Sequence, residues 1–275
     1  MSVSAPAETT SANAPLLERA DENEIAVLVL NRPQTRNALS ASMIAALTEA
    51  LTNVAADRRL RAVVLAANGP AFCAGHDLRE ITAHRSDPDG GRGYMQELME
   101  RCSAMMQLMH RLPQPVIAAV EGAATAAGCQ LVATCDLAVA SQTARFATPG
   151  VHIGLFCSTP MVALSRNVAP KHAMEMLLTG EMISANDACR IGLVNRVVMP
   201  GSAREEAKKL ARHIAAKSTL TIKLGKEAFY RQLDMSLAEA YRYANEVMVE
   251  NMLARDAQEG ISAFVEKRSP RWEDR

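Results

Sequence analysis

Residues 115–141 read PVIAAVEGAATAAGCQLVATCDLAVAS. Residues 116–120 are an unbroken apolar run after a proline, and they read as a buried strand. From Gly122 to Cys129 the side chains are almost all small. Small residues where a strand turns into a helix let a ligand approach the backbone closely. The first turn of the helix adds unpaired N–H groups and a partial positive charge. Residues 131–139 then pass from helix back to strand. Strand, small-residue turn, helix and strand in 27 residues point to an α/β chain with parallel pairing.

The same pattern extends outward on both sides. Upstream, Ile25–Leu30 (IAVLVL) reads as a strand entering a loop at Asn31-Arg32-Pro33. Ser40 is placed to cap a helix whose apolar face carries Met43, Leu47 and Leu51. Residues 61–66 form the next strand, stopped by Asn68-Gly69-Pro70. A second small-residue turn, Ala71-Phe72-Cys73-Ala74-Gly75-His76-Asp77-Leu78, follows it. Residues 87–93 (DPDGGRG) read as a flexible loop, and 94–111 as a helix. Downstream, 160–167 and 172–179 read as helical, 184–187 opens another helix, and 195–198 returns to strand. From 203 to about 265 only helices are expected. We see no internal repeat in the sequence. The domain reading is therefore a disordered arm over 1–22, an α/β core over 23–200 and a helical region over 201–275.

Composition narrows the function classes. The chain has 275 residues, 49% of them hydrophobic but only 4% aromatic, so its core must be built from Ala, Val, Leu, Ile and Met. Basic and acidic residues balance at 30 each. Neither a nucleic-acid nor a membrane partner is indicated. The six cysteines form no CxxC pair and no zinc spacing, so no metal site is expected. The first residues, MSVSAPAETTSANAP, lack a basic and an apolar segment and are poor in Arg. Together with free cysteines in apolar runs, they lead to a cytoplasmic expectation.

Two small-residue turns, one at 72–78 and one at 122–130, can supply two backbone N–H donors to one developing oxyanion. Read singly, each is equally a tight helix–sheet packing site. In order and spacing, however, the chain resembles the crotonase (enoyl-CoA hydratase/isomerase) superfamily over about residues 25–272. The markers are Asn31-Arg32-Pro33, Arg36-Asn37-Ala38-Leu39, AFCAGHDL, the opening stretch, ARFATPGVHIGL, EMLLTGEMISANDACRIGLVNRVV and GISAFVEKR. The resemblance implies a spiral of ββα units with a helical C-terminal trimerisation region, assembled as a homo-trimer or hexamer. It implies an acyl-CoA ligand and no separate cofactor, since CoA is part of the substrate.

By position, the resemblance puts the oxyanion-hole donors on His76 and Ala127. It puts Arg36, Ala38, Ala74, Asp77, Leu78, Gly128 and Pro149 along the thioester channel. Phe264 and Lys267 fall where relatives touch the nucleotide end of CoA. The two hydratase glutamates fall on Gln130 and Gly150. A Gln amide does not exchange protons near neutral pH, and Gly150 has no side chain, so two-glutamate hydration is not inherited. His76 also resembles the histidine of the family's methylmalonyl-CoA decarboxylases, although Cys157 stands where those enzymes carry a tyrosine. His152 and Cys157 read as structural. An acyl-CoA enzyme, a decarboxylase using His76 and a non-catalytic acyl-CoA binder are the readings that the sequence leaves open.

Overall fold

The computed structural model describes residues 14–275. The first part of the arm expected at 1–22 lies outside the described residues. Its end is not an arm: Leu17–Glu22 is a strand, β1, paired antiparallel with β2, Ile25–Leu30. The polar stretch LERADE hides this pairing because β1 is an exposed edge strand.

Next come α1 (Ala41–Ala56), β3 (Ala62–Ala67), β4 (Ala71–Cys73), α2 (Leu78–Ala83) and α3 (Arg92–Arg111). Ser40 caps α1 as expected, accepting from Met43 N at 3.1 Å. Then follow β5 (Val116–Val120), β6 (Ala123–Thr125), α4 (Ala127–Thr134), β7 (Leu137–Ser141), β8 (Arg145–Ala147) and α5 (Ser158–Asn167). Helix α6 (Pro170–Thr179), β9 (Ile183–Ser184), α7 (Ala185–Arg190) and β10 (Arg196–Val198) complete the core. The C-terminal part is α8 (Ala203–Ala215), α9 (Thr219–Gln232), α10 (Leu237–Leu253) and α11 (Arg255–Val265).

The strands make two sheets. One has the order β1-β2-β3-β5-β7-β10, the other β4-β6-β8-β9. All pairs are parallel except β1–β2 and β8–β9. Each pass lays one strand in the first sheet, turns, lays a three-residue strand in the second and enters a helix. Units β3-β4-α2, β5-β6-α4 and β7-β8-α5 repeat this plan, so the chain winds as a spiral of ββα units. The repeat escapes the sequence reading because three-residue strands leave no period to detect.

The inner strands of the first sheet, β2, β3, β5 and β7, are buried on both faces, which is why they read as continuous apolar runs. One face (Ile25, Val27, Val64, Ile117) meets Ala203, Ala207 and Ala211 of α8. That alanine stripe recurs every fourth residue and lets the helix lie close to the sheet. The other face packs on α1, α3 and α4 through Leu28, Leu65, Met43, Met105 and Leu131. The loop at 87–93 is tied rather than flexible. Asp89 accepts from Gly91 N at 2.9 Å and Gly93 N at 2.7 Å, setting the start of α3.

Helix α9 is bolted to the core by Lys226. Its ammonium donates to Asp136 Oδ2 at 2.7 Å and to the Met109 and Gln114 carbonyls. Asp136 also accepts from Val116 N and from Tyr230 Oη at 2.8 Å. Helices α10 and α11, by contrast, leave Leu237, Tyr241, Leu253, Phe264 and Val265 uncovered. No described helix is long and apolar enough to cross a membrane.

Candidate active site

The two small-residue turns sit side by side because the second sheet pairs β4 with β6. Thr125 Oγ1 donates to the Ala74 carbonyl at 3.0 Å, joining them directly. Their closeness shows at the glycines. A Cβ on Gly75, where φ is +95°, would lie 2.9 Å from Ala126 Cβ and 3.2 Å from Ala127 N. A Cβ on Gly128 would lie 2.1 Å from the Cys73 carbonyl oxygen. Only glycine lets these backbones approach so far. Ala126, with φ +50°, turns the chain sharply into α4.

A third strand-like segment braces the first turn. Leu39 N donates to Gly75 O at 2.7 Å and Ala74 N to Arg36 O at 3.0 Å. Leu39 and His76 thus form a parallel bridge, which faces the His76 N–H away from Leu39. Among the described residues neither His76 N nor Ala127 N donates to a backbone or side-chain acceptor. The Arg36 carbonyl meets this turn at Ala74, and Ala38 stands one residue before Leu39. The loop depends on Asn37, which sequence reasoning did not single out. Fully buried, it accepts from Arg32 N and donates to the Asn68 and Ala71 carbonyls. Its φ of +54° is a conformation that Asn tolerates, and that is the signal available in the sequence.

The side chains sort differently from the backbone. His76 Nδ1 lies 3.3 Å from the Leu39 carbonyl, which can only accept, so Nδ1 carries the proton. Nε2 is buried with no partner among the described residues. Burial lowers the His76 pKa, outweighing the Leu39 carbonyl and Glu80. Asp77 is committed to the N-cap of α2, accepting from Arg79 N and Glu80 N. Leu78 is 50% exposed. Gln130 is buried, and its Oε1 has no partner among the described residues.

Gly150 follows Pro149 in the tight turn Pro149–Ile153. A Cβ there would meet the Leu155 carbonyl oxygen at 2.6 Å and Cys157 Sγ at 2.9 Å. The room for a side chain is therefore filled by residues 155–157. Cys157 is buried, and burial raises its thiol pKa, which disfavours the thiolate. His152 Nε2 lies 2.9 Å from the Thr179 carbonyl, a structural contact. Phe264 belongs to the end of α11, which packs on α9 and α10, and Lys267 follows just past it. Phe264 is 84% exposed and not part of the two turns. No cluster of potential metal ligands occurs among the described residues.

The enoyl-CoA hydratase/isomerase family model matches residues 20–275. The chain belongs to the enoyl-CoA hydratase/isomerase family. Within it, the chain is 48% identical over 260 residues to enoyl-CoA hydratase domain-containing protein 3, mitochondrial, of Xenopus laevis, covering 94% of this chain and 87% of that protein. The crystal structure of an enoyl-CoA hydratase from Mycobacterium smegmatis superposes with a TM-score of 0.89 at 53% identity, covering 94% and 99% of the two chains. The human domain-containing protein 3 structure gives 0.88 at 45%, covering 94% and 100%. These neighbours bear out the crotonase fold. The cytoplasmic expectation does not stand, because the frog relative and its vertebrate counterparts are named mitochondrial.

One consequence concerns pH. Burial pulls both His76 and His110 below the usual 6.5. As pH falls through that value the unfolded chain takes up protons first, so stability falls with pH. The half-buried carboxylates Asp57 and Glu259, lowered to about 2 by Arg59 and Arg268, lose their contribution only further down, as pH falls through the usual carboxylate range towards 2. Thermal unfolding followed from about pH 7 to pH 5 should show a falling Tm, and a His110→Phe chain should fall less.

Proposed function

We propose that this protein binds an acyl-CoA thioester and holds its carbonyl oxygen between the N–H groups of His76 and Ala127. Negative charge that develops on that oxygen as the thioester becomes an enolate is then stabilised. The observation that carries this reading is the pair of unengaged N–H donors on two abutting turns. Ala127 also opens a fully buried helix, whose N-terminal dipole adds to the attraction. Arg36, Ala38, Ala74, Leu78, Gly128 and Pro149 would line the approach, and the capped Asp77 shapes it rather than reacting. Phe264 and Lys267 would meet the nucleotide end from a neighbouring subunit. The uncovered apolar face of α10 and α11 supports a trimer or hexamer.

The chemistry is of the enoyl-CoA hydratase/isomerase type, without the two-carboxylate hydration route. Gln130 cannot exchange protons, and a carboxylate at position 150 has no room. The same observation favours a second reading. Loss of CO₂ from a malonyl-type thioester leaves its electron pair on the α-carbon and generates the enolate without a base. A neutral His76 beside the thioester suits that reaction.

A panel of enoyl-, malonyl- and methylmalonyl-CoA, assayed for hydrated product and for CO₂, tests both. Turnover of at least one thioester is expected, with Ala127→Val reducing it about 10²–10³-fold. CO₂ release abolished by His76→Ala would select the decarboxylase reading. Micromolar binding without any product would identify a non-catalytic acyl-CoA binder.

A further inference from the structure

A cavity of about 460 Å³ lies between the end of α3 and α9. Arg111, Leu112 and Pro113 line it from the α3 end, and Lys223, Glu227 and Arg231 line it from α9. The stacked rings of His110 and Tyr230, with centroids 4.1 Å apart, belong to the same lining. Neither His76 nor Ala127 does. The volume falls within the range of small-molecule sites, about 300–1,000 Å³. The walls are held in place. Tyr230 Oη donates to Asp136 at 2.8 Å. Lys226 donates to the Met109 and Gln114 carbonyls, which bracket the lining residues 110–113. Carbonyls at the end of a helix repel an anion. Two of those on α3 are already occupied, Leu108 O by Leu112 N and Met109 O by Lys226.

The lining is positive. Arg111, Lys223 and Arg231 are cations, and Glu227 is the one carboxylate among the lining residues. His110 adds no charge at pH 7, because burial lowers its pKa. Lys226 is matched by Asp136 at 2.7 Å. Beyond the ring stack, Arg166 and Asp234 line the neighbouring cavity with opposite signs. The excess of positive charge is also uncommitted. Glu227 stands four residues from both Lys223 and Arg231, the spacing at which a helix pairs opposite charges. Among the described residues it forms an ion pair with neither. Arg111 reaches only Gln107 Oε1, at 3.5 Å, and Lys223 has no acceptor among the described residues. Arg231 lies over the Tyr243 ring at 4.6 Å, a contact that leaves its N–H groups free. Three open cations from two elements around one concavity match a dianionic phosphate, whose oxygens also fit the donor fork of Arg. Leu112, Pro113 and the two rings supply apolar surface for an organic group attached to it. A carboxylate, with one charge, would leave cations unmatched.

We propose that this cavity binds a small phosphate ester, at a site separate from the paired turns, with the phosphate shared by Arg111 of α3 and by Lys223 and Arg231 of α9. The test is equilibrium binding of phenyl phosphate to the full chain, with phenol, benzoate and inorganic phosphate alongside. Phenyl phosphate is expected to bind at least about tenfold tighter than each of the other three, and Arg111→Ala and Lys223→Ala each to weaken it about tenfold, the worth of one hydrogen bond to a charged group. Glu227→Gln should tighten it. Lys209→Ala, a cation of α8 outside the cavity, should leave it unchanged. All four altered side chains are exposed, so the variants keep their core. Phenol or benzoate binding as tightly as the ester would reduce the cavity to an apolar crevice, and inorganic phosphate doing so would leave the organic group without a role; either overturns the inference. So would equal weakening by Lys209→Ala, which marks diffuse surface charge, or no saturable binding at millimolar ester. Displacement of the ester by one equivalent of acetyl-CoA would assign the cavity to the nucleotide end of a thioester and overturn the separate site. If no thioester binds, the acyl-CoA reading falls and this inference stands.

Discussion

A Lys226→Met chain should lose about 3–5 kcal/mol of stability, the usual result of leaving a buried charge without its partner. For a chain of this size that lowers Tm on the order of ten degrees. The reason is the company Lys226 keeps. Its side chain is 6% exposed and that of Asp136 14%, at 2.7 Å. Three backbone or side-chain donors converge on Asp136, and Lys226 also satisfies the Met109 carbonyl at the end of α3 and the Gln114 carbonyl beyond it. Removing the ammonium strands the carboxylate and both carbonyls at once. Asp136→Asn added to Lys226→Met should recover part of the loss, because the amide oxygen still accepts from Val116 N while the charge is gone. Thermal unfolding of the single and double variants measures this. A single variant within about 1 kcal/mol of wild type, the range of exposed ion pairs, would show that the pair is solvated and that α9 is held by packing alone.

That anchor also shows what sequence can and cannot carry. Lys226 and Asp136 are ninety residues apart, and nothing near either marks the other. The elements that were legible are those with a strong local signature. Val116–Val120 has the limits read from its apolar run, and the turns at 72–78 and 122–130 were marked by small residues before helices. The three-residue strands β4, β6 and β8 were too short to show an alternation. At Gly150 the sequence reveals only that a carboxylate is missing. That its room is occupied by Leu155 and Cys157 follows from a turn geometry with no simple residue code.

Gly128→Ala should be the more damaging of two chemically identical changes. It is expected to cost about 3 kcal/mol or more, at the upper end for overpacked positions, and to abolish acyl-CoA binding. The added methyl would sit 2.1 Å from the Cys73 carbonyl oxygen and 2.7 Å from its carbon. Both are backbone atoms of β4, which cannot rotate away as a side chain does. Relief requires β4 and α4 to separate, and β4 leads directly into Ala74 and Gly75. The distance between His76 N and Ala127 N is therefore set by the absence of a side chain at 128. A shift of about 1 Å is enough to ruin a site that depends on two fixed donors. Gly225→Ala on α9 is the control, since a Cβ there meets nothing within 4 Å. In mid-helix it should stabilise by about 0.5–1 kcal/mol. Paired melting curves and acetyl-CoA titrations separate the outcomes. Equal effects of the two changes would mean that the turns do not abut as described. A stable Gly128→Ala chain that still binds acetyl-CoA would remove the geometric basis for the paired donors.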